Sequence, residues 1–91
     1  MNTYQVTLSR EADQDLITIA EYIALDNPSR AVSFIANVQK AIQETLSIFP
    51  EKHRQYKDCR VWPYHNYLVL YDIHEIEKTV EVLAIANAAT T

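Results

Sequence analysis

From Tyr4 to Leu8 the chain alternates, with Tyr4, Val6 and Leu8 on one side and Gln5 and Thr7 on the other. A period of two predicts a strand with one buried face. The period then lengthens. Ala12, Leu16, Ile19, Ala20, Ile23 and Ala24 recur at spacings of three and four, while Glu11, Asp13, Gln14, Asp15, Thr18 and Glu21 fill the opposite positions. This predicts an amphipathic helix with Ser9 as its N-cap and acids in its first turn, where they suit the helix dipole. Asn27-Pro28 interrupts it, and Asn27 or Ser29 can cap a second helix. The second apolar stripe is Ala31, Phe34, Ile35, Val38, Ala41, Ile42, Leu46 and Phe49, and Pro50 ends it. Two long helices joined by a short turn form an antiparallel hairpin.

Beyond Pro50 the pattern turns polar, and residues 51–58 read as a loop. Arg60-Val61-Trp62 reads as a short strand stopped by Pro63. Tyr67 to Ile73 is nearly continuously apolar and β-prone, as in a central strand partly covered on both faces. His74 to Lys78 is a polar turn, and Thr79 to Ala86 a last strand with Val80, Val82 and Ala84 facing one way and Glu81, Leu83 and Ile85 the other. The expected fold is α+β: an N-terminal strand, a helical hairpin, then a three-stranded antiparallel meander, with the helices packed on one face of the sheet. Residues 1–91 make a single domain, with no internal repeat.

Composition narrows the chemistry. The chain has no glycine, so a phosphate-cradling glycine loop, a dinucleotide fingerprint and a GxSxG elbow are all excluded. The turns must be made by other residues. Asn27-Pro28, Asp58, His65-Asn66 and His74-Glu75 fall where the topology needs them, and Asn and Asp tolerate a left-handed backbone best after glycine.

The net charge of −4 argues against direct DNA binding, which phosphate contacts dominate. It also hides a pattern. Residues 51–67 carry Lys52, Arg54, Lys57 and Arg60 against two acids, a basic island between two acidic stretches. With Trp62, Tyr64 and Tyr67 alongside, Arg54, Lys57 and Arg60 form a candidate docking surface for an acidic partner. The simpler alternative is a solvated strand edge whose aromatics complete a small core.

Other chemistry is thinly represented. His53, Cys59, His65 and His74 share no metal-ligand spacing, so neither a metal nor a cofactor is expected. Cys59 and His65 flank a strand, but nothing supplies oxyanion donors or an orienting acid, so no catalytic residue is assigned. Asp13 and Asp15 read as solvated helix charge. The lone cysteine, a start without a charged and apolar leader, and the lack of any membrane-spanning run predict a cytoplasmic protein with no membrane association.

The ordered set of motifs resembles a family. Tyr4 to Leu8, Ala12 with Asp15-Leu16 and Ile19, Tyr22-Ile23 followed by Pro28, Ala31 and Phe34, and Leu46 to Pro50 are similar to the opening of ParE-type toxins. Arg60, Tyr67 to Ile73 and Val80 to Ala86 resemble the strand half of the wider RelE/ParE superfamily. The resemblance implies the toxin of a type II toxin–antitoxin pair serving plasmid stabilisation. Its cognate ParD-like antitoxin would neutralise it through a C-terminal tail, and its target would be DNA gyrase.

The ribonuclease branch of the superfamily, which cuts messenger RNA on the ribosome, usually has arginine after the tyrosine that opens the central strand. Leu68 stands there. A non-toxic interaction domain of the same fold is the other alternative. Many relatives end the last strand with a histidine and, three residues on, an arginine. Asn87 and Thr90 occupy those positions, so the resemblance implies attenuated toxicity with an intact antitoxin-binding surface.

Overall fold

The computed structural model describes residues 3–88. The elements are β1 (Gln5–Leu8), α1 (Arg10–Ala24), α2 (Pro28–Leu46), a single 3-10 turn (Pro50–Lys52), β2 (Arg54–Tyr56), β3 (Cys59–Tyr64), β4 (Tyr67–His74) and β5 (Thr79–Asn87). The antiparallel meander is β3-β4-β5, as expected, but the sheet has five strands in place of the expected four and is mixed. Its order is β1-β5-β4-β3-β2, with β1 running parallel to β5 at one edge. The connection between these parallel partners runs through the helical hairpin and then the other three strands.

The helix starts follow their caps. The Ser9 hydroxyl accepts from the Ala12 amide at 3.0 Å, and the Asn27 side-chain oxygen accepts from the Arg30 amide at 3.1 Å, so Asn27 rather than Ser29 caps α2. α2 stops at Leu46, a turn before Pro50, and Phe49 is left 64% exposed instead of joining the buried stripe. The residue before a proline is pushed out of the helical region, and Phe49 has φ −130°. The Ser47 carbonyl, freed at the helix end, accepts from the Tyr4 amide at 2.7 Å. Leu16, Val38, Ile42 and Leu46 then pack on Val69, Tyr71, Val80, Val82 and Ile85 to form the core.

Three strand expectations change. Residues 51–58 are not a plain loop, since Arg54–Tyr56 pairs with Cys59–Val61 as a short outer strand. Pro63 does not stop β3, which runs to Tyr64. Past the end of β2 it is an edge strand, where a missing N–H is tolerated. In β5, Leu70 opposes Ala84 while Tyr71 opposes Val82, so Leu83 is an extra residue. That bulge reverses the facing of everything after it. Ile85 turns into the core at 5% exposure, and Ala84, expected beside Val80 and Val82, leaves their face.

The left-handed turn positions are Lys57 (φ 54°), His65 (φ 55°) and Lys78 (φ 57°), not the expected Asp58 or Asn66. Each carries the cost of a Cβ in that region, about 1–2 kcal/mol, partly offset by the freedom glycine would lose on folding. Lys57→Gly and Lys78→Gly should therefore each raise stability by roughly 0.5–1 kcal/mol, read from urea midpoints. A loss in both variants would mean that the lysine side chains outweigh the backbone strain.

Candidate functional site

The helices cover one face of the sheet and leave the other open. Strand alternation sends Tyr67, Val69, Tyr71 and Ile73 of β4 toward the helices and Leu68 and Leu70 away. Cross-strand register aligns Arg54, Val61, Leu70 and Ala84 in one row of the open face, and Pro63, Leu68 and Ala86 in the next. Arg54, Tyr56, Val61, Leu68, Leu70 and Ala86 line a shallow groove of about 380 Å³ there. Its floor is aliphatic, and Arg54 is the sole charged group among the described residues that line it. The alternation of Leu68 and Leu70 within an otherwise core-facing strand was the signal for this face.

The six residues expected to bind a partner are divided between the two faces. Arg54 lies on the open face, and Lys57 sits in the turn beyond it with its ammonium 5.4 Å from the Tyr56 ring. Arg60 lies on the helix side, where its guanidinium donates to the carbonyls of Glu51 at 3.0 Å and His53 at 2.8 Å. It ties β3 to the segment after α2. Trp62, Tyr64 and Tyr67 are also on the helix side and pack against the core. Of the two positions expected from the resemblance to bear on toxicity, Asn87 ends β5 opposite Tyr67, and Thr90 lies outside the described residues.

The helix side encloses two titratable groups. The Tyr71 hydroxyl donates to the Pro50 carbonyl, and burial is the chief cause that pushes the phenol up to about 12. His53 lies beside Trp62 and Tyr71, with ring centroids 6.0 and 6.4 Å away, and its Nε2 has no hydrogen-bond partner among the described residues. Burial first, then Lys52 and Arg60, hold its imidazole below the usual histidine range.

A base whose folded pKa is depressed stabilises the fold above its unfolded pKa, near 6.5, and that contribution is lost as pH falls through the folded value. Thermal midpoints should therefore drop as the pH falls below about 6.5, and His53→Phe should flatten this part of the profile. An unaltered slope in the variant would assign the acid sensitivity to other groups.

Nucleophilic chemistry finds no support in the geometry. Cys59 and His65 bracket a six-residue strand, so they stand roughly 20 Å apart. Burial, with Asp72 and Asp58 adding to it, pushes the Cys59 thiol up, away from the reactive thiolate. Among the described residues no three His, Cys, Asp or Glu side chains gather as a metal site would require. Among them, too, no helix is long and apolar enough to cross a membrane.

A mixed sheet with helices on one face and an aliphatic groove on the other defines a small α+β protein with a surface suited to a macromolecular partner. The comparisons with known proteins carry this further. The family model described as ParE toxin of type II toxin-antitoxin system, parDE, matches residues 6–90, and the chain belongs to that family. No curated protein sequence matches significantly.

Solved structures share the fold. A chain of the chromosomal ParDE system from P. aeruginosa superposes with a TM-score of 0.78 at 14% identity, covering 96% of this chain and 98% of that one. A chain of the RelBE2 toxin–antitoxin complex from Mycobacterium tuberculosis gives 0.72 at 22% identity, covering 96% and 93%. A chain of the intact E. coli RelBE complex gives 0.52 at 15% identity, covering 93% and 96%.

Proposed function

We propose that this ParE-family toxin acts on DNA gyrase by binding, and that the C-terminal tail of a cognate ParD-like antitoxin neutralises it in the cytoplasm by lying on the open sheet face. The observation that carries the docking is the aliphatic groove between β2 and the end of β5, with Arg54 at its rim. A disordered tail pays an ordering cost as it folds onto a surface, and a continuous apolar floor offsets it. Arg54 and Lys57 meet the tail's acids. The solved structures of this fold come from toxin–antitoxin systems, which supports this occupant.

The same groove weighs against RNA cleavage. Metal-free cleavage needs a base for the 2′-hydroxyl, an acid for the leaving group and cations for the developing phosphorane charge. Leu68 and Leu70 line the groove, and among the described residues that line it Arg54 alone brings charge. Asn87, in place of the histidine common at that point in relatives, supports weak toxicity.

The test runs the purified chain in three assays: gyrase capture, gyrase supercoiling, and messenger RNA integrity in a translating extract. Capture of gyrase with modest inhibition of supercoiling and intact messenger RNA is the expected outcome. Messenger RNA cut only when ribosomes are translating would replace gyrase with the ribosome as the target.

A further inference from the structure

A second concavity lies on the helix side, away from the groove assigned to the antitoxin. It has a volume of about 340 Å³ and opens between the first half of α2 and the β3–β4 turn. That size is at the lower bound for a small-molecule site, roughly 300 Å³. α2 contributes Arg30, Phe34 and Asn37, and the turn contributes His65, Asn66 and Tyr67.

Four properties of its lining point to one ligand chemistry. In a chain of net charge −4, no side-chain carboxylate among the described residues lines this cleft. Arg30 is exposed there and makes no ion pair among the described residues, so its guanidinium fork is available for an oxyanion. The walls are aromatic. Phe34 and Tyr67 pack with ring centroids 5.4 Å apart, and the exposed His65 ring stands edge-on to Tyr64 at 4.5 Å, which leaves imidazole surface for a flat group to stack on. Asn37 and Asn66 add two side-chain amides to the lining, each both donor and acceptor. Paired amide donors and acceptors suit the edge of a heterocyclic base.

From this juxtaposition we infer that the cleft between α2 and the β3–β4 turn binds a nucleoside monophosphate unit, with Arg30 on the phosphate, His65 against the base and the two asparagines on its edge. The unit is either a free mononucleotide or one residue of a single strand. This goes beyond the gyrase and antitoxin assignment, because it uses different residues on the other side of the sheet. It stands or falls separately from that assignment.

The test is an amide chemical-shift titration of the full chain with AMP, GMP, CMP and UMP, with adenosine and inorganic phosphate as controls. At least one mononucleotide should shift the amides of Ser33, Asn37, His65 and Asn66 saturably, and more tightly than phosphate or nucleoside alone. Arg30→Glu, on an exposed helix position, should weaken that complex at least tenfold while leaving the spectrum folded. His65→Ala should weaken the mononucleotide but not inorganic phosphate.

A short single-stranded RNA bound more tightly than its mononucleotide assigns the unit to a strand, and equal affinity assigns it to the free nucleotide. No saturable shift at millimolar mononucleotide, shifts outside the cleft, or an effect that inorganic phosphate reproduces in full would overturn the assignment.

Discussion

Leu68→Glu should leave the fold intact and weaken capture of the proposed antitoxin tail by a hundredfold or more. Leu68 faces away from the helices and lines the groove with Val61, Leu70 and Ala86, so the fold does not depend on its burial. In the complex it would be covered. Loss of its apolar contact forfeits about 2 kcal/mol, and a carboxylate buried without a partner adds at least as much again, which together exceed the roughly 2.7 kcal/mol of a hundredfold change. Leu68→Met keeps volume and polarity and should bind within a few-fold of the parent. Calorimetric titration with the antitoxin tail, alongside thermal unfolding of each variant, separates binding from stability. Parental affinity in a folded Leu68→Glu chain would remove the open face as the docking site.

The groove illustrates what the sequence made legible. Tyr67 to Ile73 is apolar at both parities, which identified a central strand but not what lies on each side of it. The odd positions face the helices, and the even ones remain uncovered. A period of two records which residues share a face, yet it does not say which face the chain itself covers. The helix caps were legible because Ser9 and Asn27 act within three residues of themselves. The basic island was misleading as a surface, since nearness in sequence along β2 and β3 put Arg54 and Arg60 on opposite faces. Lys57 and Lys78 escaped notice as left-handed residues because hairpin closure, a tertiary demand, overrides the local preference for Asn or Asp.

Asp15 shows the same limit at higher stakes, and its removal should cost about 1–3 kcal/mol. On the sequence it is solvated helix charge. In the fold its Oδ2 accepts from the Ile85 amide at 2.9 Å, seventy residues away. The need arises from the bulge. β1 pairs with β5 only as far as Leu8 opposite Val82, so the following residues of β5 lose their neighbour on that side where Leu83 breaks the register. α1 replaces the missing strand with side chains, the Ser9 hydroxyl donating to the Leu83 carbonyl at 3.0 Å and Asp15 accepting from Ile85.

Asp15→Ala leaves that part-buried amide without its acceptor, while Asp15→Asn keeps an oxygen in reach and should lose about half as much or less. For a chain of this size each kcal/mol lowers the melting temperature by roughly 4–8 °C. Hydrogen exchange gives the sharper reading. The Ile85 amide should exchange much faster in the alanine variant, by more than the global loss of stability accounts for, while Val69 in the sheet centre follows only the global change. Equal losses in the two variants, with Ile85 exchanging no faster than Val69, would mean that the bulge holds its register without help from α1.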